Sequence, residues 1–370
     1  MATNGILEQV AIRGISVAVP DNWVENEAFV GRFGAENVEK FAKMTGVQRR
    51  CVTRPGQTAS DLAFDAAQNL LAKLGWERSG IDGLILVSQC PDYPIPSTAC
   101  VLQHRLGLGK DCLAFDVNLG CSGFVYGLFI AASMCRKNGV RRLLLCGGDT
   151  SNKFVSPLDR SAAMLFGEAG FAAALEFDES APFWHYLFRT DGSGFRHIIT
   201  PSSAYPNGWY RHIGSNPELR EFGDGIWRGD HHLIMNGTEV FNFTISEVPA
   251  SIKQLMAQAG RTPETTDWLV LHQANLFILK NIAKMTKIPM TKVPVSMDRY
   301  GNTSVTSIPL TLCDALAGKS GLGVQRIVMS GFGVGLSWGV ISMDLDASLC
   351  LPIAVSTSTF DDGGLEFKDV

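Results

Sequence analysis

The chain reads as an α/β protein made of two related halves, stacked so that five layers alternate as αβαβα. Three observations point there. Residues 69–75 and 81–87 give a helix end, a Gly stop and a buried strand, and residues 253–260 and 266–272 repeat the pattern. Gly75 and Gly260 lie 185 positions apart, as do Asp82 and Asp267. Residues 139–147 echo residues 323–331 at a shift of 184. A match of this length reflects one burial problem solved twice. Finally, residues 124–135 are apolar on every side, so this helix must be enclosed, as a layer between two sheets would enclose it.

The elements follow in order. Residues 8–19 predict a first strand, closed by Pro20, Asp21 and Asn22. A polar, helix-prone stretch runs to Met44. Residues 62–74 carry apolar side chains at helical spacing and stop at Gly75. Residues 84–87 and 143–146 are continuous apolar runs, as expected of strands buried on both faces. Between them, 97–106 reads as a helix and 112–117 as a strand. The second half is expected to repeat this order over roughly 238–345, with a largely parallel sheet in each half.

These readings divide the chain into a first half (1–177), an insert (178–237), a second half (238–347) and a tail (348–370). The insert is rich in aromatics and His, including Trp184, Tyr186, Tyr205, Trp209, Tyr210, His212, Trp227 and His231. It suits either a pocket wall or a dimer face. The tail is expected to pack on the surface or move freely.

Composition narrows the function. Hydrophobic residues make up 46% of the 370 and charged residues 18%, which favours extensive burial, including at a subunit interface. A formal charge of -4 excludes a general nucleic-acid binder. Nine cysteines without CxxC or Cys/His ligand spacing predict reduced apolar fillers and no metal site. No basic, apolar leader is visible and residues 124–134 are too short to span a bilayer, so a cytoplasmic protein is expected.

Three residues could carry chemistry. Cys121 lies between a strand and a helix, flanked by Gly120 and Gly123. There the helix N-terminus would favour a thiolate, and the glycines would permit the sharp turn of a nucleophile. His272 ends the strand of residues 268–271, where α/β ligand sites form. Asn302 falls on Asn118 under the shift of 184, which puts it on the loop equivalent to that of Cys121. A Cys nucleophile with neutral His and Asn donors suits thioester chemistry. The glycine-rich segment 331–335, with Gly333 and Gly335, could add a backbone N–H for an oxyanion.

In this order, Gly120-Cys121-Ser122-Gly123-Phe124, His272-Gln273-Ala274-Asn275, Tyr300-Gly301-Asn302-Thr303-Ser304 and Gly331-Phe332-Gly333-Val334-Gly335 resemble the β-ketoacyl-[acyl carrier protein] synthase III family of the thiolase fold. The similarity extends over residues 8–345, with Thr45-Gly46-Val47, Arg50 and residues 156–160 included. It implies a homodimer of duplicated thiolase-like halves with a Cys121, His272, Asn302 triad and no bound cofactor. It implies acyl transfer to Cys121, followed by decarboxylative condensation with a malonyl thioester. Coenzyme A or acyl carrier protein thioesters would be the substrates. Ile95 matches the position that reaches across the dimer into the partner's acyl tunnel, and Arg160 matches a coenzyme-contacting arginine. Lys280, Lys284 and Lys287 form a stripe on the helix after His272, suited to an acidic carrier protein.

The sequence departs from this pattern at the coenzyme mouth. Lys40 and Met44 stand where a Trp and an Arg clamp adenine in familiar members, and Phe277 stands where another Arg assists docking. These departures leave the acyl donor, its chain length and the pathway open. A close alternative hands the acyl group to a hydroxyl, amine or aryl acceptor, as in secondary metabolism. A non-catalytic partner subunit of a heterodimeric synthase is a third reading. The Cys, His, Asn order also occurs in papain-like hydrolases, but a duplicated parallel core argues against them.

Overall fold

Alternating burial along the strands sorts the side chains into one inner and two outer apolar layers. The computed structural model describes residues 3–202, 218–223, 225–319 and 321–363. The first half comprises β1 (Thr3–Leu7), β2 (Val10–Pro20), α1 (Ala35–Thr45), α2 (Ala59–Leu74), β3 (Gly83–Val87), α3 (Thr98–Arg105), β4 (Leu113–Val117), α4 (Gly123–Met134), β5 (Arg142–Asp149) and β6 (Ala169–Phe177). The second comprises β7 (Trp184–Thr190), α5 (Gly237–Gln258), β8 (Trp268–Leu271), α6 (Leu276–Thr286), α7 (Ser307–Leu316), β9 (Val324–Gly333) and β10 (Ser337–Asp346), with β11 (Ala354–Ser356) following.

One sheet has the order β11-β2-β6-β5-β3-β4 and the other β1-β7-β10-β9-β8. Successive strand residues point to opposite faces, and each face finds its own partner. Leu143 and Leu145 of β5 join the inner layer, whereas Leu144 and Cys146 face the outer helices α2 and α3. The inner layer takes Phe124, Val125 and Leu128 of α4 and Ile308, Leu312 and Leu316 of α7, together with side chains of both sheets. The other outer layer packs α5 and α6 on the second sheet. This is the αβαβα arrangement, and the apolar circumference of α4 follows from its central place.

The duplication is visible in hydrogen bonds. Asp82 Oδ2 accepts from the N–H groups of Arg141 and Arg142, at 2.7 and 2.9 Å. Asp267 Oδ2 accepts from Arg326 N–H at 2.8 Å, at the matching place in the second copy.

Three expectations change, and of the two readings of the tail the surface-packed one holds. The sheets are mixed rather than largely parallel: β3 runs parallel to β4 and β5, but β6 is antiparallel to both β5 and β2. In the second half only residues 334–336 join β9 to β10, too short a link for a parallel crossover. The second copy also begins earlier than residue 238. Trp184–Thr190, assigned to the insert, is β7 and pairs antiparallel with β10, as β2 pairs with β6. Trp184 is buried in the inner layer. Nor does the second copy repeat every element, since the short helix Met297–Tyr300 stands where the shift of 184 would place β4. Finally, the tail is tied down: β11 adds a parallel edge to β2, and Gln57 Nε2 donates to the Ser358 carbonyl at 3.0 Å. Tyr205, Trp209, Tyr210 and His212 lie outside the described residues.

Candidate active site

Three strand-end loops and one loop between helices converge on one cavity of about 980 Å³. Cys121 lies in the turn from β4 to α4, and His272 immediately follows β8. Asn302 sits between the short helix and α7, and Val334 lies in the turn from β9 to β10. All four line the cavity, with Ser304, Gln89 and Phe332 beside them. Apolar side chains, among them Leu165, Phe166, Ile198, Leu233 and Met235, cover much of the remaining wall. Ile198, Ile199, His231, Leu233 and Met235 come from the segment between β7 and α5, which therefore walls the pocket.

Close backbone approach explains the glycines. A Cβ on Gly333 would lie 2.7 Å from the Cys121 Cβ and 2.9 Å from its Sγ. A Cβ on Gly167 would meet the Tyr300 carbonyl at 1.7 Å, so only glycine lets the Asn302 loop seat there. That loop is pinned on both sides: Asn302 N–H donates to the Leu165 carbonyl at 2.9 Å, and Gly167 N–H donates to the Asn302 carbonyl at 3.1 Å.

The side chains are oriented locally. Asn302 Oδ1 accepts from Ser304 N–H at 3.0 Å, which directs the Nδ2 donors to the cavity. His272 is buried, and its Nδ1 lies 2.7 Å from Ser307 Oγ at the start of α7. Gln273 braces it: its Nε2 donates to the Leu271 carbonyl, and its Oε1 accepts from Ser296 N–H at 3.0 Å. Asn275 caps α6 by accepting from Ile278 N–H at 2.8 Å. One four-residue motif thus supplies a cavity imidazole, a brace and a helix start.

Burial sets the protonation states. Desolvation pushes the His272 imidazole down to about 3, against a hydrogen bond to the Ser304 carbonyl. It pushes the Cys121 thiol up to about 11, with the Asp149 charge adding to the rise. Hydrogen bonds from Val334 N–H and the Ser304 hydroxyl act the other way. The resting site therefore holds a thiol and a neutral imidazole at pH 7. The expected thiolate at the helix N-terminus gives way because burial and a neighbouring carboxylate outweigh it.

Other predicted residues are more scattered. Gly333 abuts Cys121, but a Cβ on Gly335 would meet Ser337, and the backbone donor at the sulfur belongs to Val334. Arg160 is half-buried and is not among the cavity-lining residues. Ile95 is 83% exposed, on the loop that also carries Gln89, Cys90 and Asp92 into the cavity. Lys280 and Lys284 are exposed on α6, and Lys287 is exposed just past its end, in the left-handed C-cap. The start of α6 reaches the cavity through Ala274, Asn275 and Ile278. Phe277, exposed in the first turn of α6, stacks on Phe241 at 5.2 Å, and Lys40 and Met44 lie exposed on α1. Sequence reasoning gave no role to Ser304, Ser307 and Asp149, and within residues 331–335 it named Gly333 and Gly335 rather than Val334. For Asp149 a signal existed, because the shift of 184 places it on Gly333.

The model of the 3-oxoacyl-[acyl-carrier-protein] synthase III C-terminal domain matches residues 256–345, and that of the corresponding synthase III domain matches residues 115–192. The β-ketoacyl-[acyl-carrier-protein] synthase III of Enterococcus faecalis is 36% identical over 330 residues, covering 88% of this chain and 96% of the relative. The chain belongs to the 3-oxoacyl-[acyl-carrier-protein] synthase III family. The synthase III of a Roseiflexus strain is 34% identical over 329 residues, covering 89% of this chain and 96% of its own. Among solved structures, a 3-oxoacyl-(acyl-carrier protein) synthase from Burkholderia xenovorans superposes with a TM-score of 0.88 at 35% identity, covering 96% of this chain and 99% of that one. The Thermus thermophilus synthase III gives 0.76 at 30% identity, covering 90% and 98%. Membership makes this chain a condensing acyltransferase of the thiolase fold. No helix among the described residues is long and apolar enough to cross a membrane.

Proposed function

We propose that this synthase III carries an acyl group on Cys121 and condenses it with a malonyl thioester, using His272 and Asn302 as donors. The supporting observation is that Cys121, His272, Asn302 and the Val334 loop line one cavity with apolar walls. In the first half-reaction the Cys121 sulfur attacks the donor thioester carbonyl, and the carbon–sulfur bond to the carrier breaks. The Cys121 proton ends on the departing thiol. The developing oxyanion lies where Val334 N–H can stabilise it.

In the second half-reaction a malonyl thioester enters and loses CO2. Its carbonyl oxygen becomes an enolate oxygen, which takes hydrogen bonds from His272 and from Asn302 Nδ2. A neutral imidazole suits this role as a donor in the tautomer whose Nδ1 accepts from the Ser307 hydroxyl, which puts the proton on Nε2. The enolate carbon attacks the acyl carbonyl, the carbon–sulfur bond to Cys121 breaks, and the released thiolate takes a proton from solvent. The product is a 3-oxoacyl thioester.

Acyl carrier protein and coenzyme A thioesters are the substrate classes this reading assigns. The exposed Lys280, Lys284 and Lys287 support docking of an acidic carrier protein. Phe277, Met44 and Lys40 stand at positions where familiar members carry the coenzyme clamp, which favours carrier-bound or specialised donors over acetyl-coenzyme A. A homodimer accounts for β4, the open end of the first sheet, and for Ile95 beside it. The nine cysteines are all free, as suits the reducing cytoplasm.

Intact-protein mass spectrometry with a panel of acyl-coenzyme A and acyl carrier protein thioesters tests the mechanism. A donor-specific acyl adduct is expected on the enzyme and none on Cys121→Ala. An adduct that survives in Cys121→Ala, or no adduct from any donor, would overturn it.

A further inference from the structure

We propose that Asp149 is a positioning residue for acyl transfer, one buried carboxylate that joins the Gln89 loop to the Ser304–Val305 turn beneath Cys121. Asp149 ends β5 and is 1% exposed. Its Oδ1 accepts from Gln89 N–H at 2.8 Å and from Ser88 Oγ at 3.2 Å. Its Oδ2 accepts from Val305 N–H at 3.3 Å, across 156 positions of sequence. The carboxylate thus fastens a loop of the first half to the pseudo-equivalent of the Cys121 turn in the second.

The two loops it holds grip the nucleophile's own turn. A Cβ on Gly120 would lie 2.2 Å from Gln89 Oε1 and 3.1 Å from Ser304 Oγ, so this glycine is clasped between them. Ser304 holds a positive φ of 49°, an unusual backbone state for a non-glycine residue, and a brace on the next residue maintains it. The Ser304 hydroxyl faces both the Asp149 carboxylate and the Cys121 thiol. The Cys90 thiol also faces Asp149. No hydrogen bond in this group serves the sheet ladder. All of them set where the sulfur sits relative to Val334 N–H.

A carboxylate here has two separable effects. Its oxygens fix geometry, and its charge, though burial also raises the carboxyl's own pKa, opposes formation of the neighbouring thiolate. Asp149→Asn removes the charge and turns one acceptor into a donor facing a backbone N–H. Asp149→Glu retains the charge but displaces the oxygens by one methylene.

The test measures kcat, KM and the pH dependence of Cys121 alkylation by iodoacetamide, read on the Cys121 peptide so that Cys90 does not contribute. Asp149→Asn is expected to lower kcat about 100-fold at little-changed KM and to move the alkylation midpoint down by about one pH unit. Asp149→Glu is expected to lower kcat while leaving that midpoint in place. Ser304→Ala, which leaves the buried carboxylate and its backbone donors intact, is expected to lower kcat about tenfold. Wild-type kcat in Ser304→Ala would overturn the proposal whether or not Asp149→Asn folds. An unmoved midpoint in a folded Asp149→Asn would overturn it too. The proposal rests on Cys121 as the acylated residue. The alkylation profile tests Asp149 without turnover, so a missing acyl adduct in the unsubstituted enzyme would count against that earlier reading alone.

Discussion

Two side chains of the site are uncharged for the same reason. Enclosure penalises the imidazolium of His272 and the thiolate of Cys121 alike, moving one down to about 3 and the other up to about 11. The alkylation rate of Cys121 in the free enzyme is therefore expected to climb with pH toward about 11, with no inflection between pH 6 and 7. Iodoacetamide kinetics across that range check this, and a plateau at neutral pH would contradict it. Because His272 lies far below neutrality, it donates as an imidazole throughout the physiological range. At the facing backbone, Gly333→Ala would place a methyl 2.9 Å from the Cys121 sulfur. The variant is expected to fold yet lose on the order of 100-fold in kcat/KM, the scale of a small misplacement at the reacting centre. Steady-state kinetics with a matched thermal melt distinguish lost chemistry from lost structure.

Among the elements, α4 carries the most consequence per residue. It starts directly after the nucleophile's turn and packs against both sheets, with Phe124 edge-on to Phe171 at 5.2 Å. Leu128 is fully buried near its middle. Leu128→Ala is expected to cost about 2–5 kcal/mol, since neither sheet can collapse into the space vacated. A urea titration gives the value, and a cost below about 1 kcal/mol would mean the layer is looser than its burial indicates. Elements that end at the cavity are held by side chains rather than by ladders. Gln273 ties the end of β8 to Ser296, and the Ser122 and Ser337 hydroxyls meet at 2.7 Å across the β9–β10 turn. Ser337 Oγ donates onward to the Val334 carbonyl at 2.9 Å, so the start of α4 and the backbone donor move as one unit.

At the scale of the whole molecule, the halves are alike in their cores and unlike at their edges. The first sheet ends in β4, whose side chains are exposed or half-buried, while the second ends at β8 without a counterpart. An apolar, open edge strand invites a second copy. Sedimentation is expected to show a dimer, and Leu113→Lys, at a 43% exposed position on that edge, is expected to shift it toward monomer. An unchanged dimer in that variant would place the interface elsewhere. Acyl transfer should fall with the dimer, because Ile95 projects from the loop that lines the cavity.

The sequence by itself determined the duplication, the alternating layers and three of the cavity side chains. Each of these rests on a local pattern: a fixed shift, a hydrophobic period, or a chemical residue at a strand end. Tertiary structure alone decided the rest. Whether β6 runs parallel or antiparallel depends on which edge it joins, and no period records that. Trp184–Thr190 became a strand of the second sheet because β10 offered it a ladder and the inner layer offered Trp184 a place. The donor at the sulfur is Val334 rather than Gly335 because a backbone N–H has no side-chain identity to read. Asp149 lies 28 positions from Cys121 and 156 from Val305. Only folding brings these three together, and only burial gives the carboxylate its influence over the thiol.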